Sequence, residues 1–292
     1  MNFNMIYVII TAVLFATLEP VSKLIAADIS PLALTAVRFL IGGIIFLPIS
    51  IGEIKKNGIK LNVTDHLKMA GLGVLNVCVS MVVLQYAVKL SSSPALIAII
   101  FSSNSIMTIY LSAFMLKERI TAKKIMALIL CVAGILVCSW KSLSVEGEAV
   151  SVLLAIVAAV AFSLYTVLNK KMLKRVSGNV LMGGAFLYGS IILFIFNLII
   201  GGEFITTDSF SLKSMLIVLY AGVAITGIGY WSYFKALSKG SATMASLAFF
   251  VKPVLSPFVA AAINGVPLTA EIFIALILVL SGTYMVSYSG KK

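Results

Sequence analysis

The stretch Phe15-Ala-Thr-Leu-Glu-Pro-Val-Ser-Lys23 lies in an apolar run, and a loosely matching stretch, Phe162-Ser-Leu-Tyr-Thr-Val-Leu-Asn-Lys170, lies in another 147 positions later. A second pair repeats at nearly the same offset, 149 positions: Ala87-Val-Lys-Leu-Ser-Ser-Ser-Pro-Ala95 and Ala236-Leu-Ser-Lys-Gly-Ser-Ala-Thr-Met244. An offset of half the chain marks an internal repeat. Around the first copy the sequence breaks into apolar runs near 4–24, 32–51, 68–89, 94–115 and 121–140. Around the second they fall near 149–169, 178–200, 213–234, 241–263 and 270–288. A helix needs about 20 apolar residues to cross a bilayer. The predicted fold is therefore all-α and integral to the membrane, with ten transmembrane helices in two inverted five-helix repeats, residues 1–140 and 149–288. Five is odd, so the second copy must insert upside down relative to the first, and a binding site is expected near mid-membrane between the halves.

Composition and charge agree with this plan. Of 292 residues, 61% are apolar and 11% charged, against about 25% charged in a soluble domain. A net charge of +12 in a soluble chain would suggest nucleic acid, but here the cations sit in short loops between apolar runs. With a cytoplasmic N-terminus, sixteen of the 22 Lys and Arg residues fall on cytoplasmic segments: Lys55, Lys56, Lys60 and Lys68; Lys117, Arg119, Lys123 and Lys124; Lys170, Lys171, Lys174 and Arg175; Lys235 and Lys239; Lys291 and Lys292. The external loops carry only Lys89, Lys141 and Lys213, and Lys23, Arg38 and Lys252 lie in or beside spans. That alternation is the positive-inside signature. It predicts a multi-pass protein of a bacterial or archaeal plasma membrane with both termini cytoplasmic. No basic segment or small-residue cleavage site surrounds the first apolar run, so it is expected to remain as a helix. Cys78, Cys131 and Cys138 fall inside apolar runs without metal-ligand spacing and read as small packing residues.

Four stretches resemble the EamA family of the drug/metabolite transporter superfamily: Phe15 to Lys23, Ser30-Pro-Leu-Ala-Leu-Thr-Ala-Val-Arg-Phe39, Leu116-Lys-Glu-Arg-Ile-Thr121, and Lys252-Pro253 with Gly265 to Thr269. The resemblance covers essentially the whole chain. It departs where the second copy has Val266 at a position usually acidic; the first copy keeps Glu118. The resemblance implies carriage of small metabolites, often amino acids or related compounds, by a monomer or homodimer.

Charges inside spans mark where the chemistry is expected, since each costs about 2.5–3.5 kcal/mol or more if unpaired at the bilayer centre. Glu19 is the one acidic residue well inside a run, and it directly precedes Pro20; Lys252, in the ninth run, directly precedes Pro253. A proline removes one backbone donor, and the freed carbonyl is tolerated only against protein or a wet cavity. Helix breaks are therefore expected at both prolines. Glu19 lies roughly 22 Å and Lys252 roughly 16 Å from the cytoplasmic ends of their helices, a difference that a lysine side chain spans. If the two pair, an amphoteric substrate can replace each partner with its own amine and carboxylate. The competing reading places Lys23, four residues on, against Glu19. Arg38 reads as structural, pairing with Asp28 or Glu19. Burial disfavours a charged carboxylate, which makes Glu19 the candidate for proton coupling.

Uncharged polar residues complete the expected substrate site: Asn76 and Gln85 in the third helix, Asn104 within the band Ser102 to Ser105, Tyr165 and Asn169 in the sixth, and Thr226, Tyr230, Trp231 and Tyr233 in the eighth. Trp231 reads equally as an aromatic wall for a substrate amine or as an interfacial anchor. Gly227 and Gly229 read as helix-packing positions. His66, the single histidine, reads as a solvated loop residue beside Asp65. Catalytic and metal-binding motifs are absent from the sequence, so neither an enzyme nor a cofactor is expected. The best reading is a secondary transporter, an exporter, of small metabolites such as amino acids or related amphoteric and cationic compounds. A channel would want rings of like residues, and it stands with a non-transporting membrane protein as the rival.

Overall fold

Where each helix starts and stops is written in short polar signals between the apolar runs. The computed structural model describes residues 3–116, 122–139, 148–201, 211–239 and 248–289, together with 242 and 245. Helix α1 has two pieces, Phe3–Ala16 and Leu18–Lys23. Helix α2, Pro31–Asn57, starts with a proline in its first turn and the Ser30 hydroxyl accepting from the Ala33 amide at 3.2 Å, a capped N-terminus. It ends at Gly58, whose φ of 60° is the left-handed conformation that glycine adopts without steric cost. Helix α3 opens four residues later on a reciprocal capping box between Asn62 and Asp65. It comprises Val63–Gly73, a π-helical stretch Val74–Met81, and Val82–Leu90. The stretch 52–67 between the second and third apolar runs is thus mostly helix, because these two caps leave only a short turn between α2 and α3.

Helix α4 consists of Pro94–Ser102 and Asn104–Leu116; α5 is Ala122–Ser139, α6 Glu148–Met172 and α7 Gly178–Ile199. Helix α8 comprises Leu212–Tyr220, a second π stretch Ala221–Gly229, and Tyr230–Lys239; α9 is Ala248–Asn264 and α10 Ala270–Ser289. The two π stretches begin at Val74 and Ala221, 147 positions apart, the offset of the repeat. π turns are rare and concentrate at functional sites, so their recurrence is structural support for two related halves.

Packing carries the same symmetry. Helix α2 packs on α7, α5 on α10 and α4 on α9; α1 packs on α9 as α6 does on α4; α3 packs on α6 as α8 does on α1; α2 packs on α8 as α7 does on α3. Exchanging each helix for the one five places along returns the same set. The α3–α7 contact is a backbone one: a Cβ added to Gly73 would lie 2.3 Å from the Ala185 carbonyl oxygen, and one on Gly189 2.8 Å from the Gly73 carbonyl oxygen. Absent side chains let these helices touch directly, the usual device for apolar helices in lipid.

Among the described residues, seven stretches are long and apolar enough to cross a membrane: Ile6–Lys23, Pro31–Asn57, Val63–Leu90, Pro94–Met115, Glu148–Met172, Gly178–Ile199 and Leu212–Lys239. Their outer faces are apolar. Phe114 is 86% exposed, and Ile195, Leu198 and Ile199 on α7 and Leu212, Met215 and Leu219 on α8 also point outward. So large an apolar surface is untenable in water. The charges do the reverse: Glu19, Arg38 and Lys252 are fully buried. Such a molecule is built for lipid outside and a polar site inside.

Candidate functional site

The site begins with the break in α1. Pro20 has no amide proton to give the Ala16 carbonyl, and the helix interrupts there, its first piece ending at Ala16. Thr17, at the break, donates to the Leu14 carbonyl at 2.8 Å and meets the Tyr220 hydroxyl of α8 at 2.9 Å. Beyond it the bonds tighten to the 3₁₀ pattern, Leu24 to Val21 and Ile25 to Ser22. The Pro20 carbonyl instead accepts from Asn264 of α9 at 3.1 Å. Glu19 is thereby held between α1 and α9, where its Oε1 accepts a hydrogen bond from Lys252 Nζ in a buried ion pair.

Lys23 makes no such pair. Its Nζ donates to the carbonyls of Val88, Lys89 and Ser91, satisfying the last turn of α3, as a cation at a helix C-terminus should. Only one of the two expected helix breaks occurs. Helix α9 continues through Pro253 and Pro257; four residues apart, the two prolines interrupt one face and leave the bonds on the others intact.

Lys252 Nζ also lies 4.7 Å from the centre of the Phe101 ring, a cation–π contact. Phe101 is one of a cluster that includes Phe15, Phe162, Tyr233 and Phe249, with Phe162 5.6 Å from Phe101 and 5.1 Å from Phe249, and Phe15 5.7 Å from Phe249. Phe15 and Phe162, which open the two matching stretches of the repeat, thus share one aromatic wall. Tyr230 extends it, 5.1 Å from Phe15, 5.5 Å from Phe39 and 5.1 Å from Phe186.

Most of the polar residues singled out by sequence join this region. Gln85 donates to the Ser22 hydroxyl at 3.2 Å, one turn from Glu19. Tyr230 reaches the Asn76 Oδ1 at 3.4 Å. Asn104 donates to the Phe101 carbonyl at 2.8 Å, closing the break between the two pieces of α4, while its own backbone carbonyl accepts from Ser163 of α6 at 2.8 Å. Tyr165 is fully buried beside Phe162. Arg38 bonds neither Asp28 nor Glu19; its Nη1 donates to the Thr226 hydroxyl at 3.1 Å, on the π stretch of α8. Thr226 in turn bonds the Ala221 carbonyl five residues back.

Trp231 stands apart. It packs edge-on against Tyr7, 5.6 Å between ring centres, with Lys235 Nζ 5.5 Å away, and lines a side recess of about 150 Å³ with Glu53, Ser177 and Asn179. Successive helix residues point about 100° apart, so with Tyr230 inward Trp231 must turn elsewhere. Gly229 does pack closely, its missing Cβ replaced by the Phe15 ring. His66 lies on α3, not in a loop, with Nδ1 2.7 Å from the Tyr188 hydroxyl. Glu118 and its neighbours fall outside the described residues, as do the side chains of Cys131 and Cys138.

Polar clamps at the two ends of the bundle were not foreseen. At one end Glu148, at the start of α6, accepts from the Ser91 hydroxyl at 3.0 Å and from both the amide and the hydroxyl of Ser92. At the other, Asp65 pairs with Arg175 at 2.7 Å, and Glu53 accepts from Asn179 at 2.6 Å and from Ser177. Each joins a helix of the first half to one of the second. Their only sequence signal was an acidic residue near a helix end, which loops share.

Comparison with known proteins follows the same two-fold division. The model of the EamA-like transporter family matches residues 2–140 and again 149–288. An uncharacterized transporter of Clostridium kluyveri is 31% identical over all of this chain and 95% of its own, and one from Archaeoglobus fulgidus is 29% identical over 88% and 89%. An uncharacterized transporter of Bacillus subtilis, YvbV, is 26% identical over 93% of this chain and 87% of its own. A protein of known crystal structure superposes with a TM-score of 0.72 at 18% identity, covering 98% of this chain and 96% of the other, a likeness of fold. Matched by one family model in each half, and burying its charges between those halves, the chain is a multi-pass membrane protein that belongs to the EamA-like transporter family.

Proposed function

We propose that the chain is a secondary active exporter of small amphoteric or cationic metabolites, amino acids and related compounds foremost. In this reading ten helices form two oppositely inserted repeats in the plasma membrane, both termini are cytoplasmic, and the unit is a monomer or homodimer. The substrate binds between the halves, against Glu19, Lys252, Gln85, Asn76, Asn104, Tyr165 and Tyr230. The observation that carries it is the buried Glu19–Lys252 pair, which joins the broken helix of the first repeat to the proline-bearing helix of the second.

A buried ion pair is costly unless it is well solvated by its surroundings, and apolar residues of similar size would stabilise the bundle at least as well. Its retention suits a molecule that must exchange those charges for a substrate's. Glu19 is also the group on which coupling of transport to protons would rest. The test is counterflow in liposomes with purified protein, across amino acids, polyamines, nucleobases and cationic drugs, at two pH values. Saturable exchange that disappears in Glu19→Gln supports the reading; unchanged exchange of every substrate in that variant sinks it.

A further inference from the structure

Arg38 is the largest fully buried side chain among the described residues, yet its Nε and Nη2 have no hydrogen-bond partner. These two nitrogens form one edge of the guanidinium plane, the edge that takes a carboxylate side-on through two parallel bonds. Its third nitrogen donates to Thr226 and its Cζ lies 4.4 Å from the Phe39 ring centre, so the group is held in place while its fork stays open. Buried donors left unmatched are rare in folded proteins and call for an explanation. Arg38, Glu19 and Lys252 lie close enough to feel one another's charge. Glu19 is already engaged through Oε1, and its Oε2 is likewise without a partner.

The trio of Glu19, Lys252 and Arg38 holds two positive charges and one negative, a surplus of one cation in the apolar core. Among the described residues the other buried carboxylates, Asp65 and Glu148, are engaged in the clamps at the ends of the bundle. From the open fork and the surplus charge we infer that Arg38 is a substrate-binding residue and that the substrate carries a carboxylate. A purely cationic substrate would add to this surplus, whereas a carboxylate set against Arg38 meets it locally. The free Glu19 Oε2 stands ready for a substrate amine, and the orphaned amide of Asn76, bonded through Oδ1 to Tyr230, for a further acceptor. This narrows the proposed function, on which it rests, to compounds with an acid group.

The test compares counterflow and thermal stabilisation by α-amino acids with those by the corresponding amides and decarboxylated amines. In the parent protein the acids should bind roughly ten- to a hundredfold more tightly than their amides, the worth of a charge-assisted bond. Arg38→Gln should remove most of the preference for acid over amide, and Arg38→Lys should restore part of it, because it keeps the charge and loses the fork. A structural role for Arg38 would weaken acid and amide alike. Amides or amines handled as well as acids by the parent protein overturn the inference, and that comparison needs no variant to fold. If no member of the panel exchanges, the transport reading itself falls.

Discussion

Removing one member of the Glu19–Lys252 pair should do two separable things, and a double-mutant cycle tells them apart. Both side chains are buried, 0% and 1% exposed. Glu19→Gln therefore leaves an ammonium in the apolar core without its counter-ion, and Lys252→Met leaves a carboxylate in the same position. Breaking a buried pair from one side costs about 3–5 kcal/mol. At about 2–4 °C per kcal/mol for chains of 150–250 residues, either single variant in detergent should melt on the order of 10 °C below the parent. The double variant removes both charges at once and keeps the methylene packing of Lys252 over Phe101. Since an apolar replacement of a buried pair is often neutral or better, it should recover most of the loss. Transport should not recover, because the substrate would have no charges to replace. The assays are melting of the purified protein, read by intrinsic fluorescence, and counterflow in liposomes with the same preparations. Single variants that melt with the parent would show that the pair is not buried as described. A double variant that transports would show that the pair is scaffolding, and would refute the role argued for it.

Other features give sharp expectations. Gly73→Ala places a Cβ 2.3 Å from the Ala185 carbonyl oxygen, so it should destabilise the bundle by about 1–3 kcal/mol; Gly71→Ala, with open space around it, should change the melting temperature little. Glu148→Ala strands the serines of the α3–α4 turn, and hydrogen exchange at residues 91–93 should accelerate while the Glu19 region stays protected. Trp231→Ala should leave substrate affinity within about twofold of the parent, since its ring lies in the side recess; the affinity falls as far as in Tyr230→Ala only if Trp231 belongs to the central site. Pro20→Ala restores a donor for the Ala16 carbonyl; it should lengthen α1 without loss of stability and slow exchange in liposomes.

Much of the architecture was legible because it depends on quantities that run along the chain. Apolar length and the 147-residue offset needed no knowledge of what packs on what. Helix ends were less legible: the caps at Gly58 and Asn62 leave most of 52–67, outside the apolar runs, helical, because capping residues and loop residues are the same types. At the site, Glu19 and Lys252 stood out as charges among apolar residues beside prolines. The aromatic wall did not: Phe15 with Phe162 and Phe101 with Phe249 stand at the repeat offset, 147 and 148 positions apart, but that the five helices carrying these rings and Tyr233 turn them toward one another is decided by packing.

What the sequence determined by itself is a family of membrane-embedded, internally repeated helices with two charges in the apolar interior. Bilayer thickness and the cost of burying charge act on each segment separately, and that is enough to settle those points. The tertiary structure alone decided that Glu19 meets Lys252 and not Lys23, and that Tyr230 faces inward while Trp231 does not. It also left Arg38, read from sequence as structural, with an open fork. These outcomes turn on the direction a side chain takes around its helix axis and on which helix stands opposite. An ion pair four residues apart and one more than 200 residues apart are equally permitted by spacing; packing selects between them.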